Sequence, residues 1–257
     1  MIHIGRIRRH FLASWGLAFV IGLVVPVCSA QVSISPVVIE IDTPRRPVAI
    51  SVTNSGARPI RLQAEVLLWQ QTDGKDRYES SDALLVVPSI VDVPANSTQV
   101  VRVVLRSPVP SPVERTYRLV LDDITEEKAE GGGASISFKF THNLPVMIAP
   151  SGKVLSTMRW KPCVETAETS IPVRAAQLKQ ACVRLFNTGN RRIRVQTLVL
   201  SGDGWQQVLS FSAGENVLVG SERELRVQLK PGQTGAVSGV QVFTGLGETL
   251  KVESGRF

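Results

Sequence analysis

Apolar and polar residues alternate along this chain in short runs, each closed by turn residues. Val32 and Ile34 flank Ser33 and lead into Pro36, and residues 37–41 continue extended. The run at 48–52 stops at Asn54-Ser55-Gly56, and the run at 60–69 stops before Thr72-Asp73-Gly74-Lys75. Further runs at 84–87, 100–105, 117–121 and 136–148 complete a first set. A period of two bounded by Gly, Pro, Asn and Asp predicts strands joined by turns. No segment sustains the 3.6-residue period of an amphipathic helix. Strands spaced in this way predict an all-β sandwich or barrel.

The second half of the chain echoes the first. Asn54-Ser55-Gly56 followed by Ile60-Arg61-Leu62-Gln63 returns as Asn187-Thr188-Gly189 followed by Ile193-Arg194-Val195-Gln196, at a constant offset of 133. A second echo sets Val93-Pro94-Ala95-Asn96-Ser97 against Lys230-Pro231-Gly232-Gln233-Thr234, each ahead of a valine-rich strand. Two readings stand: a repeated domain, or two sandwiches that merely share turn chemistry. Either places a boundary near Ala149-Pro150-Ser151-Gly152, dividing 31–149 from 150–257.

The first thirty residues change this picture, because they read as an address. Arg6, Arg8 and Arg9 precede an apolar run from Phe11 to Val27, and Cys28-Ser29-Ala30 offers a small-x-small cleavage site before Gln31. A membrane anchor is the competing reading, but the run is at the short end for a spanning helix. Acylation at Cys28 is poorly supported by the Val25-Pro26-Val27 that precedes it. Without this segment the chain holds 26 basic and 22 acidic residues, a net +4 with no basic runs, which argues against nucleic acid as a partner. Cys163 and Cys182 remain, an even pair in an exported protein, and predict a disulfide. With His142 as the one remaining histidine, neither a metal site nor a thiol nucleophile finds its partners. No Gly-x-Ser-x-Gly elbow or phosphate-binding glycine loop is present, so the expectation is a binding protein without enzyme activity, cofactor or small-molecule substrate.

Several short pieces, in order, carry a family resemblance. They are Val32-Ser33-Ile34-Ser35-Pro36, Val52-Thr53-Asn54-Ser55-Gly56, Val87-Pro88 ahead of Val93-Pro94, Thr116-Tyr117-Arg118-Leu119-Val120-Leu121, Asn143-Leu144-Pro145-Val146 running to Pro150, and Asn187-Thr188-Gly189-Asn190. In these the chain resembles the PapD-like periplasmic pilus chaperones, and more closely their archaic, Csu-type branch. The resemblance implies two immunoglobulin-like sandwiches set at an angle with a cleft between them. It implies capture of pilus subunits in the periplasm and delivery to an outer-membrane usher. A subunit lacks its last strand, and the chaperone lends one of its own to close the exposed groove. A self-capping dimer of the free protein is left open. The competing function is a structural pilus component or an adhesive two-domain module.

The resemblance also assigns residues. The donor strand falls on the alternation from Ser135 to Thr141, so Ile136, Phe138 and Phe140, with Leu144 further along, are the expected subunit-binding residues. Classical members grip the subunit's terminal carboxylate with an arginine and a lysine, at positions where this chain has Val38 and Pro145. That departure favours the archaic branch and leaves the anchor to be found. Arg118 is the first candidate, because a guanidinium can bind a carboxylate bidentately. Pairing Ile124 with Ser135 would set Arg118 beside Thr141. Arg102 is the alternative anchor, with Arg106 and Arg61 as further rivals.

Overall fold

A computed structural model describes residues 31–42, 46–126, 139–163, 180–230, 233, 237–245 and 247–255. The expected cleavage site after Ala30 lies outside these residues. Every regular element described is a strand. In chain order these are β1 (Val32–Ser35), β2 (Ile39–Ile41), β3 (Val48–Asn54), β4 (Ile60–Thr72), β5 (Lys75–Ser80), β6 (Leu84–Val87), β7 (Ile90–Val93), β8 (Ser97–Leu105), β9 (Arg115–Asp123) and β10 (Thr141–Ile148). There follow β11 (Met158–Pro162), β12 (Gln180–Asn187), β13 (Ile193–Gly202), β14 (Trp205–Val217), β15 (Glu222–Gln228), β16 (Gly239–Thr244), β17 (Thr249–Lys251) and β18 (Glu253–Ser254).

Four sheets result. The first runs β1-β3-β8-β6 and the second β2-β10-β9-β4-β5, with β7 also paired to β4. Ile50, Val52 and Val101 from one face meet Leu62, Leu119 and Val146 from the other in a single core. The third sheet runs β15-β12-β11-β18 and the fourth β14-β13-β16-β17. Val183 and Leu185 meet Leu198, Leu200 and Val242 in a second core. The chain is thus two immunoglobulin-like sandwiches, each stabilised by the burial of alternate residues on its strands.

Most apolar runs of the first half became strands, because alternation buries one face. The sequence reading missed β5 and β7. β5 is Lys-Asp-Arg-Tyr-Glu-Ser, a polar edge strand held by main-chain pairing to β4, so it buries too little to leave an apolar signature. The Thr72-Asp73-Gly74-Lys75 turn joins them, with positive φ at Asp73 (53°) and Gly74 (71°), as a tight hairpin requires.

The repeat is structural. Asn54 is fully buried, and its Nδ2 donates to the carbonyls of Arg58 (2.8 Å), Val93 (3.1 Å) and Pro94 (3.1 Å) while Oδ1 accepts from Gly56 N (2.9 Å). Asn187 is equally buried, donates to Arg191 O (2.8 Å) and Val217 O (2.9 Å), and accepts from Gly189 N (2.9 Å). Ile60 opposes Val93 as Ile193 opposes Val217. The second echo is therefore corrected: the counterpart of Val93 is Val217, and Lys230 follows β15, which itself corresponds to β8. A proline-rich turn repeats more readily by chance than a buried amide with its carbonyls.

Cys163 and Cys182 are bonded, their Cα atoms 5.3 Å apart, where β11 runs antiparallel to β12. Loop closure over about 20 residues stabilises this sandwich by roughly 3 kcal/mol in the chain-entropy account.

The sandwiches touch along two seams. At one, Asn190 O accepts from Glu114 N (2.8 Å), and Asn190 Nδ2 donates to Pro112 O (3.2 Å) and Lys153 O (3.0 Å). Arg192 binds Glu114 (2.6 Å) and Glu40 (2.5 Å), and Arg191 reaches Glu40 (3.4 Å). The connecting segment crosses Gly189 so closely that a Cβ there would lie 2.2 Å from Leu155 O. At the other seam, Gln71 accepts from Leu218 N (3.0 Å) and donates to Asn216 O (2.9 Å), and Arg223 donates to Gly74 O (3.0 Å).

Candidate functional site

The strand expected to be donated ends as an open edge. β10 pairs with β9 over 141–148 but with β2 only over 146–148. From 141 to 145 its other edge has no strand partner among the described residues. Unpaired N–H and C=O groups in a row are a template for another strand. Phe140, next to this edge, is 57% exposed. Leu144, Val146 and Ile148 share its parity and face the first core, so the apolar row leaves the sandwich at Phe140.

The expected donor set divides accordingly. Ile136 and Phe138 lie outside the described residues. Phe140 stands in solvent. Leu144 does not: it is 6% exposed and packed in its own core, so it cannot be lent without opening the sandwich. His142, between them, keeps a buried Nε2 without a hydrogen-bond partner.

The register between β9 and β10 also differs from the expectation. Thr141 opposes Asp122, and Arg118 opposes Pro145, a shift of four residues. Residues 127–138, which join the two strands, lie outside the described residues; alternation alone fits either register, because a shift by an even number of residues keeps every side chain on its face. The consequence is pointed. Arg118 stands directly across from Pro145, the position where classical members of the resembled family carry their lysine. Val38 lines a cavity of about 660 Å³ between the sandwiches, with Glu40, Arg191, Arg192 and Glu248.

Arg118 projects from the outward face of the second sheet, since its neighbours Tyr117 and Leu119 point into the core. Its guanidinium carbon lies 3.8 Å from the centroid of the Trp69 ring and 5.9 Å from that of Tyr78. Cation–π attraction holds it there. No carboxylate among the described residues lies within salt-bridge range of Arg118, and its Nε is buried without an acceptor. Burial pushes the Tyr78 hydroxyl pKa up, and the nearby Arg118 charge pulls against it. The rivals are placed otherwise. Arg102 is exposed on β8, on the far face of the sandwich from Arg118. Arg61 pairs with Asp92 (2.6 Å), and Arg106 donates to Asp82 O (2.9 Å).

Sequence reading missed Trp69. It sits on the outward row of β4 with Arg61, Gln63 and Glu65, yet is only 2% exposed, packed with Met147 and Leu218. The signal was present: Val66-Leu67-Leu68-Trp69 is apolar on both parities, which a strand facing water on one side does not need.

Comparison with known proteins bears on the fold. Residues 31–153 match the family described as the pili and flagellar-assembly chaperone, PapD N-terminal domain. No curated protein sequence matches significantly. Among solved structures, the chain is similar to the CsuC–CsuE chaperone–tip adhesion subunit pre-assembly complex from the archaic chaperone-usher Csu pili of Acinetobacter baumannii, at 18% identity and TM-score 0.64, covering 88% of this chain and 100% of that one. It is similar to the Escherichia coli chaperone DraB, at 15% identity and TM-score 0.55, covering 88% and 96%. It is also similar to the Salmonella enterica SafA pilin in complex with the SafB chaperone, at 16% identity and TM-score 0.55, covering 85% and 94%. The first sandwich thus belongs to the PapD N-terminal domain family of pili and flagellar-assembly chaperones, and the chain as a whole shares the two-sandwich fold of these structures.

Proposed function

We propose that this protein is an archaic-type periplasmic chaperone, exported by cleavage after Ala30, that completes pilus subunits with the strand around Phe140 and passes them to an outer-membrane usher. The division into 31–149 and 150–257 belongs to the same reading. The observation that carries it is the open β10 edge with Phe140 emerging beside it. A subunit strand pairing with that edge satisfies main-chain groups on both sides, while Ile136, Phe138 and Phe140 enter the subunit's groove. Each buried side chain contributes about 1.5–3 kcal/mol before the ordering cost of association. Leu144 plays no direct part. Arg118, across from Pro145 and without a carboxylate partner among the described residues, takes the subunit's terminal carboxylate. The missing classical pair at Val38 and Pro145 supports the archaic assignment.

The test is co-expression with a tagged pilus subunit. Phe138→Asp and Phe140→Asp should give folded, exported protein that no longer co-purifies with subunit. Arg118→Ala should lower the yield severely, and Arg118→Lys should restore it only in part because the planar fork is lost. A folded Phe138→Asp, Phe140→Asp double variant that retains the subunit would refute the donor assignment.

A further inference from the structure

We propose that Trp69 is the positioning residue of the Arg118 anchor: its indole face holds the guanidinium in place, and Leu218 of the second sandwich holds the indole. This rests on the reading of Arg118 as the site for a subunit's carboxylate.

Four observations converge. Trp69 stands on the outward row of β4, where a bulky apolar side chain has no place in the core, and it is covered by Met147 from β10 and Leu218 from the second sandwich. Its backbone is fixed, because Thr116 Oγ1 donates to Trp69 O at 2.7 Å and Trp69 pairs with Tyr78 across β5. The Arg118 guanidinium lies on its ring at 3.8 Å. The two stacked side chains also each keep a buried donor without an acceptor, Arg118 Nε and Trp69 Nε1, a costly arrangement that an entering carboxylate can relieve at Arg118.

The physical consequence is preorganisation. An unsupported arginine samples many rotamers and must surrender them on binding. Held over an indole, it has surrendered many of them already, and this half-buried guanidinium presents its remaining donors to an entering carboxylate from a fixed position. Leu218 makes the arrangement depend on the seam between the sandwiches, next to Gln71 and its bonds to Asn216 and Leu218. A tryptophan that merely filled this seam would affect stability without affecting recognition of a charge.

The experiment compares two probes on the purified protein by calorimetric titration: the acetylated peptide Thr-Val-Thr-Val-Thr-Val with a free carboxylate, and the same peptide amidated. The wild type should prefer the acid by about tenfold or more, as a charge-assisted bidentate contact implies. Trp69→Phe keeps a ring face and should keep most of that preference. Trp69→Leu should bring the ratio close to one while binding the amide within about twofold of wild type. If the wild type shows no preference, the Arg118 reading fails and this proposal with it. A normal wild-type preference that persists in folded Trp69→Leu, or is lost equally in Trp69→Phe, overturns the positioning role and leaves Arg118 as the anchor. Should Trp69→Leu not fold, Leu218→Ala decides: it removes the support behind the indole and should reduce the preference, and an unchanged ratio overturns the proposal.

Discussion

Asn54 shows how much one buried side chain can specify. An amide in an apolar core is costly unless all its groups are paired, and here Nδ2 meets three carbonyls while Oδ1 meets one N–H. Removing it strands those main-chain groups in the core. Asn54→Ala should lower unfolding stability by about 3 kcal/mol in urea denaturation. Asn54→Asp, though nearly isosteric, should cost at least as much, because a carboxylate oxygen would face the three carbonyls. A loss under about 1 kcal/mol in either variant would show that the network is dispensable. Arg118 illustrates the opposite condition. Its charge has an aromatic wall but no counter-ion among the described residues, a state suited to binding something that arrives.

At the level of elements, pairing and burial do different work. β10 is secured where β2 flanks it and open where β2 ends, so one strand fills its own core and leaves an edge free, as the proposed donation to a subunit requires. Its division falls between Leu144 and Phe140, which share a parity and differ in exposure. The disulfide does its work on another pair of strands, tying the residue after β11 to β12. Replacing Cys163 and Cys182 with Ser should reduce the stability of the second sandwich by about 3 kcal/mol and leave the first unchanged. Fluorescence of tryptophans in each sandwich during denaturation would check this, and a loss confined to the first sandwich would be inconsistent with it.

On the scale of the whole molecule, the seam at Glu40, Glu114, Arg191 and Arg192 joins the sandwiches through charge. The Arg192 hydrogen bond holds the Glu40 carboxyl below its usual range, whereas burial pushes Glu114 up against the attraction of Arg192. The two therefore act in opposite directions. For Glu40 the unfolded chain binds the proton more tightly, so its contribution is complete above the ordinary carboxyl value and is lost as pH falls through the lowered folded value. For Glu114 the folded chain binds the proton more tightly, so its contribution is complete below the ordinary value and is lost as pH rises through the raised one. Glu40→Gln should therefore flatten the acid side of the stability profile, with midpoints that change less between about pH 5 and pH 3 than those of wild type. An unaltered acid slope would mean that the Glu40–Arg192 pair is too well solvated to matter, as many exposed pairs are.

Much of this protein was legible in one dimension. Alternation at 48–52 or 100–105 encodes a strand because a sheet buries every second side chain, and Asn54 and Asn187 encode a turn because a short amide can bond its own backbone. The family could be read from such pieces in order, and an even cysteine pair indicated a disulfide. What alternation cannot encode is which residues meet across a loop. Thr141 lay opposite Asp122, four residues from the expected register, because pairing across 127–138 is decided by the fit of two whole strands. Lys230 seemed the counterpart of Val93 for the same reason, since turn composition recurs where topology does not. Leu144 and Phe140 look alike in a row of alternating residues, and only the end of the core separates them. Trp69 acquires its role from Arg118 on the next strand and Leu218 on the other sandwich, and contacts between residues so far apart in the chain exist only once both sandwiches have folded and met.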